Sequence, residues 1–99
     1  MSLTVSVVIP TYHRPKLLER CLEALARQTL PAHLYEIIVV DDGRSDDTRA
    51  QVAAFAARIG GLPAVRYLRP GGTRGPAGAR NSGWRSSNAP VIAFTDDDT

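Results

Sequence analysis

Residues 35–43 read YEIIVVDDG, an apolar run that ends in two aspartates and a glycine. A short β-branched run without polar alternation is typical of a strand buried on both faces of a parallel sheet. The glycine after the aspartates predicts a turn at the end of that strand. We therefore interpret residues 35–40 as a central strand, with Asp41 and Asp42 at its carboxyl end.

Three further segments predict strands. Residues 3–9 are apolar and β-branched, and we expect Pro10 to end this strand because proline interrupts a sheet ladder. Residues 64–68 alternate between apolar and polar, which favours a place nearer the sheet edge. Residues 91–94 read VIAF and predict a fourth, buried strand.

Helical patterns separate these strands. Residues 15–28 place leucines and a cysteine on one stripe at helical spacing, and proline is well tolerated at the first helical position. A second helix runs to about residue 59, with Asp46 or Asp47 as its N-cap. A third, glycine-interrupted helix covers about residues 76–87, after a glycine-rich loop.

This βαβαβαβ order predicts a single α/β domain, a Rossmann-like parallel sheet with helices on both faces. Right-handed crossovers and a reversal between the first and fourth strands give the strand order 3-2-1-4. In such sheets ligands bind outside the carboxyl ends of the strands. All aspartates of the chain follow the second or the fourth strand. The sequence therefore predicts a binding site at this edge.

Composition restricts the class of protein. The chain has 99 residues and a net charge of +2, from 12 basic and 10 acidic side chains, which does not favour nucleic acid as a partner. Cys21 is the single cysteine, which excludes an intramolecular disulfide; on the apolar helix face we expect a buried, inert thiol. No apolar run approaches the ~20 residues of a membrane span. We expect a cytoplasmic protein, with membrane association left open for a longer parent.

Clustered carboxylates repel one another unless a cation lies between them. Hard divalent cations such as Mg²⁺ or Mn²⁺ prefer oxygen ligands and bridge carboxylates to substrate phosphates. In the run Asp96-Asp97-Asp98 we expect the outer two side chains to act and Asp97 to point away. The alternative is a solvated acidic loop or a helix cap.

Four segments carry a resemblance to a known family. They read VSVVIPTYHRPKLLERCLEAL, EIIVVDDGRSDDT, GPAGARNSGW and VIAFTDDD, in this order along the chain. The chain resembles the N-terminal half of a family 2 glycosyltransferase of the GT-A fold. The resemblance implies that residues 1–99 bind the nucleotide of a sugar donor, with UDP, GDP or dTDP as the carrier. It also implies an inverting reaction and Mn²⁺ or Mg²⁺ as cofactor.

The resemblance assigns roles to individual residues. Asp41 or Asp42 would hold the base and ribose, and Arg80 would approach the nucleotide. Asp96 would contact the ribose and, with Asp98, the metal-bound diphosphate. The residues that would line the base and ribose follow the first strand: Pro10, Thr11 and Tyr12.

Two departures from the family pattern bear on function. Arg44 replaces the serine that usually follows the glycine of the second motif, so the loop near the base is expected to differ. The acceptor site and the catalytic base are expected beyond Thr99, in a half that this chain lacks. We therefore expect donor binding without sugar transfer, an unidentified acceptor, and a homodimer formed through the open sheet edge.

Other functions remain open at this point. A nucleotidyltransferase carries a glycine signature like residues 71–75, but directly after its first strand rather than its third. A haloacid-dehalogenase-type phosphatase needs Thr or Val four residues after its aspartate, whereas Thr99 is three after Asp96. A non-catalytic, nucleotide-binding or self-associating fragment is the alternative from another class.

Overall fold

The computed structural model describes residues 3–70 and 76–97, except for the side chains of residues 76 and 77. Strands and helices alternate along this part of the chain, with one 3₁₀ turn at Ala32–Leu34 that the sequence did not predict. The elements in chain order are β1 (Val5–Thr11), α1 (Pro15–Ala26), β2 (Tyr35–Asp41), α2 (Asp46–Arg58), β3 (Ala64–Leu68), α3 (Pro76–Ser86) and β4 (Val91–Phe94).

The four strands form one parallel sheet in the order β3-β2-β1-β4, which confirms the predicted topology. β1 pairs with β2 from Val5–Tyr35 to Thr11–Asp41, so these two strands end level with each other. β4 pairs with β1 only as far as Val8–Phe94. The residues that follow β4 therefore lie beside the carboxyl-terminal end of β1. Ligands bind at this edge in sheets of this kind.

Helices cover both faces of the sheet, as predicted. On one face α1 and α2 pack on the odd-numbered strand positions, in a core that includes Leu18, Leu22, Phe55 and Ile37. On the other face Ala79 of α3 packs against the even-numbered positions of β1 and β2. The two cores fix the sheet between its helices and hold its carboxyl edge in one place.

Pro10 does not end β1, and that expectation was wrong. The carbonyl of Val8 accepts a hydrogen bond from Thr95 N, so the alternate backbone groups that include Pro10 face β4. The pairing with β4 already stops at Val8–Phe94. Because no ladder hydrogen bond is due at Pro10, its missing N–H has no effect, and the strand continues to Thr11.

Two further expectations need correction. β4 was predicted to be buried, but Val91 is 53% and Phe94 48% exposed, because β4 lies at the sheet edge among the residues described. The N-cap of α2 is Ser45, whose Oγ accepts from Thr48 N, while Asp46 and the next aspartate lie in the first turn. Acidic residues there still stabilise the helix through its dipole.

Other expectations are confirmed. β3 lies at the opposite sheet edge, as its alternating pattern predicted. Cys21 of α1 is buried in the core between the helices and the sheet. Burial, and next the charge of Asp97, raise the pKa of its thiol, so the thiol stays protonated. Within residues 3–70 and 76–97 no helix is both long and apolar enough to cross a membrane.

Candidate functional site

A pocket of about 330 Å³ opens at the carboxyl edge of the sheet. It lies where the ends of β1 and β2 meet the residues that follow β4. Ala79 of α3 forms an apolar part of the pocket wall. It is buried in the core between α3 and the sheet. The residues lining the pocket are Pro10, Thr11, Tyr12, Arg14, Asp42, Ala79, Asp96 and Asp97.

Five of the residues predicted from sequence come together in this pocket: Pro10, Thr11, Tyr12, Asp42 and Asp96. The ring of Tyr12 is 56% exposed at the mouth, packed edge-on to His13 with the ring centroids 4.6 Å apart. The site thus combines an accessible aromatic face with carboxylates from two strands. Such a combination suits a ligand with a flat ring and bound cations or hydroxyl groups.

The sequence left Asp41 and Asp42 as alternatives, and their surroundings differ sharply. Asp41 is fully buried, and its carboxylate accepts hydrogen bonds from Gly43 N at 3.1 Å, Ser45 N at 2.8 Å and the Tyr67 hydroxyl at 2.6 Å. These contacts fold the turn after β2 around Asp41. Asp42 instead lines the pocket, so it is the aspartate of this pair that a ligand can reach.

Tyr67 links this turn to β3. Its hydroxyl donates to Asp41 and accepts from Arg69 Nε at 3.0 Å, while Arg69 also pairs with Asp46 at 2.7 Å. Burial, and next the hydrogen bond to Asp41, raise the pKa of Tyr67, so the phenol stays protonated and keeps donating. The network stabilises the turn after β2 through contacts with β3 and α2, and none of these contacts involves a residue that lines the pocket.

Arg44 occupies the place of the serine usual in the resembling motif. Its φ of +52° lies in the left-handed region, which is uncommon for a residue with a side chain. Its guanidinium donates to the Pro70 carbonyl at 2.6 Å, so it joins the turn after β2 to the end of the β3 segment. The departure from the motif therefore replaces a small side chain by a link between two loops.

The His13 ring lies close to Gly43. A Cβ at this position would lie 2.9 Å from Nε2 of His13, whose own φ is +50°. The exposed imidazole therefore packs on the glycine backbone, where the loop after β1 meets the loop after β2.

Asp97 is turned into the protein, and Asp96 is exposed. Asp97 is 3% exposed; its Oδ2 accepts from the Thr11 hydroxyl at 2.7 Å, and its Oδ1 pairs with Arg14 NH1 at 3.1 Å. The inward direction of Asp97 agrees with the expectation that the middle aspartate of the run points away. Thr11, predicted to line the base and ribose, uses its hydroxyl to hold this carboxylate.

Among the described residues, Asp41 and Arg80 were predicted for the site but do not line the pocket. Arg80 is exposed on α3 and is not among the lining residues. Asp98 and the glycine loop at residues 71–75 lie outside the described residues. Conversely, the sequence analysis missed Arg14, whose only signal was a basic residue directly before the Pro15 that opens α1.

The donor set at this edge is compatible with a hard divalent cation. Mg²⁺ in proteins uses one or two carboxylates and completes its shell with water and substrate phosphate. Asp96 and Asp42 supply carboxylates at the pocket. In the described ranges no three His, Cys, Asp or Glu side chains form a group that could hold a metal by themselves. A metal at this site would therefore depend on Asp98 or on a ligand's own oxygens.

Comparison with known proteins places this chain in a family. The sequence profile described as Glycosyl transferase family 2 matches residues 6–99. Among curated relatives, validoxylamine A glucosyltransferase of Streptomyces hygroscopicus subsp. jinggangensis is 44% identical over 94 residues, covering 93% of this chain and 21% of the relative. Glycosyltransferase AglE of Haloferax volcanii is 35% identical, covering 95% of this chain and 30% of the relative.

Solved structures of the same type match the fold. The mannosyltransferase PcManGT of Pyrobaculum calidifontis, in complex with GDP-Man and Mn²⁺, has a TM-score of 0.85 at 30% identity, covering 99% of this chain and 28% of that protein. TarS 1-349 of S. aureus in complex with UDP-GlcNAc has a TM-score of 0.79 at 28% identity, covering 97% and 27%. The chain therefore spans between a fifth and a third of the length of these four proteins.

Proposed function

Because this chain belongs to glycosyl transferase family 2 and has the GT-A fold, we propose that it binds the nucleoside diphosphate of a nucleotide-sugar donor at the carboxyl edge of its sheet. The observation that carries the proposal is the pocket itself, in which Asp42 after β2 and Asp96 after β4 line one cavity beside an exposed tyrosine ring. Residues 1–99 would then be the nucleotide-binding half of a longer glycosyltransferase domain.

The residues divide between the two ends of the nucleotide. Asp42 accepts hydrogen bonds from the base or ribose, since the neighbouring Asp41 is committed to the turn. Tyr12 supplies an aromatic face for the base, and Pro10 packs beside it. Asp96 and Asp98 would bind the metal-bound diphosphate, and Arg80 would approach the nucleotide from α3.

A divalent cation fits this arrangement electrostatically. A diphosphate next to several aspartates is repelled unless positive charge lies between them. Mn²⁺ or Mg²⁺, held by Asp96 and Asp98, would supply that charge and stabilise the leaving diphosphate. The complex of PcManGT with GDP-Man and Mn²⁺ supports this use of a metal within the family.

The reaction proposed for the longer protein is sugar transfer from a UDP-, GDP- or dTDP-sugar to an acceptor hydroxyl, with inversion. Transfer needs a base within hydrogen-bond reach of that hydroxyl. A carboxylate that binds a cation is held in its ionised form and is a poor base, so we place the base and the acceptor site outside residues 1–99. The 99-residue chain would then hydrolyse a donor slowly at most.

Calorimetry of nucleoside diphosphates tests the proposal. We expect UDP or GDP to bind with Mn²⁺ and to lose binding in EDTA, and we expect Asp98→Asn to weaken binding more than Asp97→Asn. Asp47→Asn, an exposed aspartate on α2, is the matched control and should bind like the wild type. Equal affinity with and without metal would refute the metal-dependent site, and no binding of any nucleoside diphosphate would refute the proposed function.

A second candidate function is self-association. Val91 and Phe94 of β4 are half exposed, and Trp84 on the neighbouring α3 is 58% exposed rather than packed in the core. An unpaired strand edge bordered by apolar side chains favours pairing with a second copy. Sedimentation velocity at rising concentration should reveal a dimer that Val91→Lys weakens, whereas a monomer at every concentration would exclude this role.

A further inference from the structure

We propose that Arg14 and Asp97 form a positioning pair for the donor site, which holds the segment after β4 in the conformation that binds the metal–nucleotide. The proposal rests on the proposed function, because it concerns affinity at the same pocket. The sequence predicts no role in nucleotide binding for either residue, since Arg14 is only part of a motif and Asp97 was expected to point away.

The geometry of Asp97 is the first step. Both of its carboxylate oxygens are used inwards, one by the Thr11 hydroxyl at 2.7 Å and one by Arg14 at 3.1 Å. The side chain of Asp97 is 2% exposed. These contacts join the segment after β4 to the end of β1 and to the start of α1. Asp97 therefore acts as an anchor rather than as a ligand.

The anchor fixes its neighbours through the backbone. Asp96 and Asp98 are joined to Asp97 by single peptide units, so the direction of Asp97 restricts theirs. Thr95 N donates a backbone hydrogen bond to the Val8 carbonyl, two residues before Asp97. The Asp97 side chain adds a second link to β1 through the Thr11 hydroxyl. Residues that orient metal ligands in this manner affect metal affinity about 10- to 100-fold.

Charge gives the second step. A buried carboxylate requires a partner, and Arg14 supplies it from a side chain that is itself 49% exposed at the pocket. With Asp97 neutralised in this way, Asp42 and Asp96 are the other two acidic residues that line the pocket among the described residues. Removal of Arg14 would raise the negative potential of the pocket, which by simple attraction should tighten cation binding. A positioning role predicts the opposite.

The direction in which each variant changes the binding affinity distinguishes the proposal from two alternatives. If Arg14 instead contacts the diphosphate directly, Arg14→Gln weakens nucleotide binding, whereas Asp97→Asn leaves it unchanged or tightens it by releasing the guanidinium. If only the local potential matters, Arg14→Gln tightens Mn²⁺ binding. If the pair positions the segment, either single change weakens binding, and the double change is no worse than one of them, because the two residues act as a unit.

The experiment is a double-mutant cycle with Arg14→Gln, Asp97→Asn and the double variant. Calorimetry measures the affinity for UDP or GDP with Mn²⁺, and urea unfolding of the same samples identifies conditions in which every variant is folded. We expect each single variant to bind about tenfold more weakly, the double variant to lie within about twofold of them, and Arg14→Lys to recover part of the loss. If Asp97→Asn fails to fold, titration of Arg14→Gln with Mn²⁺ alone carries the test: weaker binding than in the wild type supports positioning, whereas unchanged or tighter binding overturns it.

A remote ion pair provides the control. Arg58 and Glu19 pair at 2.6 Å between α2 and α1, with side chains 56% and 36% exposed. Arg58→Gln should leave nucleotide affinity unchanged. Unchanged or tighter binding in Arg14→Gln, an additive cycle, or an equal loss in Arg58→Gln would overturn the proposal while the proposed function stands. A wild-type chain that binds no nucleoside diphosphate would overturn both.

Discussion

The two ends of the sheet both bury carboxylates, but they use them differently. At the amino end, Glu36 is 1% exposed and accepts from the Ser6 hydroxyl at 2.6 Å, Asn88 N at 2.9 Å and Arg66 at 3.2 Å. At the carboxyl end, Asp42 and Asp96 line an open pocket. The amino end is saturated by the chain itself, whereas the carboxyl end faces a space that a ligand can enter.

The difference between the two ends distinguishes acidic residues that stabilise the fold from acidic residues that are available to a ligand. Arg66 also donates to the Ser86 carbonyl at 2.7 Å, so the Glu36 cluster ties the end of α3 and the start of β4 to the sheet. Its removal should therefore reduce stability. Residues that face the pocket contribute less to stability, and their removal should reduce binding instead. The predictions below test this division, from the largest expected effect to the smallest.

Glu36→Gln should lower the free energy of unfolding by roughly 3 kcal/mol, because it leaves Arg66 without its buried partner and sets an amide N–H₂ against the Asn88 N–H. Urea unfolding followed by circular dichroism measures this loss. Glu23→Gln, on a half-exposed carboxylate that pairs with Arg58 at 3.4 Å, should change stability by less than about 0.5 kcal/mol. Equal losses of stability in Glu36→Gln and Glu23→Gln would contradict the structural role proposed for Glu36.

Asp42→Asn should produce the opposite pattern. We expect nucleotide affinity with Mn²⁺ to fall at least about tenfold, the loss of one hydrogen bond to a charged group, which corresponds to 1.4 kcal/mol or more. Stability should stay within about 1 kcal/mol of the wild type, because asparagine keeps the size and shape of a side chain that borders the pocket and whose Oδ1 is buried. Calorimetry and urea unfolding on the same preparation measure both quantities. A large loss of stability would place Asp42 with the structural acids.

Tyr67→Phe should lie between these extremes. It removes a buried donor to Asp41, but Gly43 N and Ser45 N still satisfy that carboxylate. We expect a loss of about 1–2 kcal/mol in the free energy of unfolding. Nucleotide affinity should fall only slightly, through a looser turn after β2. A binding loss as large as that of Asp42→Asn would mean that Tyr67 belongs to the site itself.

Acid should weaken the amino end in a predictable window. Burial by itself raises the pKa of Glu36, but hydrogen bonds from Ser6, Asn88 and Arg66 outweigh it, so the pKa lies below its ordinary value. The carboxylate therefore contributes stability above the unfolded-state pKa of about 4.3, and this is lost as the pH falls through the folded-state pKa. The stability difference between wild type and Glu36→Gln should shrink below about pH 4. A constant difference down to pH 3 would contradict the assignment.

Much of the fold was predictable from sequence because local patterns determine it. Apolar runs bounded by turn residues gave the strands, and β3 and β4 have the predicted bounds. The strand order followed from crossover handedness, and the edge carrying the site followed from where the aspartates fall. The continuation of β1 through Pro10 was not predictable, because it depends on where pairing with β4 stops.

The site was predictable in outline and not in detail. Asp41 and Asp42 are adjacent and chemically identical, and the structure distinguishes them by the hydrogen bonds that Asp41 accepts from Gly43 N, Ser45 N and the distant Tyr67. The inward direction of Asp97 depends on contacts 83 and 86 residues away in the chain. Glu36, within an apolar run, gave no sign of its cluster, since Asn88 lies 52 residues away. Such contacts are set by tertiary packing and not by local pattern.

The central claim is that ligand chemistry belongs to the carboxyl end of the sheet. The most direct test is a ¹H–¹⁵N NMR titration of the 99-residue chain with UDP or GDP and Mg²⁺. We expect metal-dependent shifts concentrated on amides around the pocket, namely Thr11, Tyr12, Asp42, Ala79 and Asp96, with Ser6, Glu36 and Asn88 unmoved. Shifts centred on the Glu36 cluster, or no shifts at saturating nucleotide and Mg²⁺, would contradict the account.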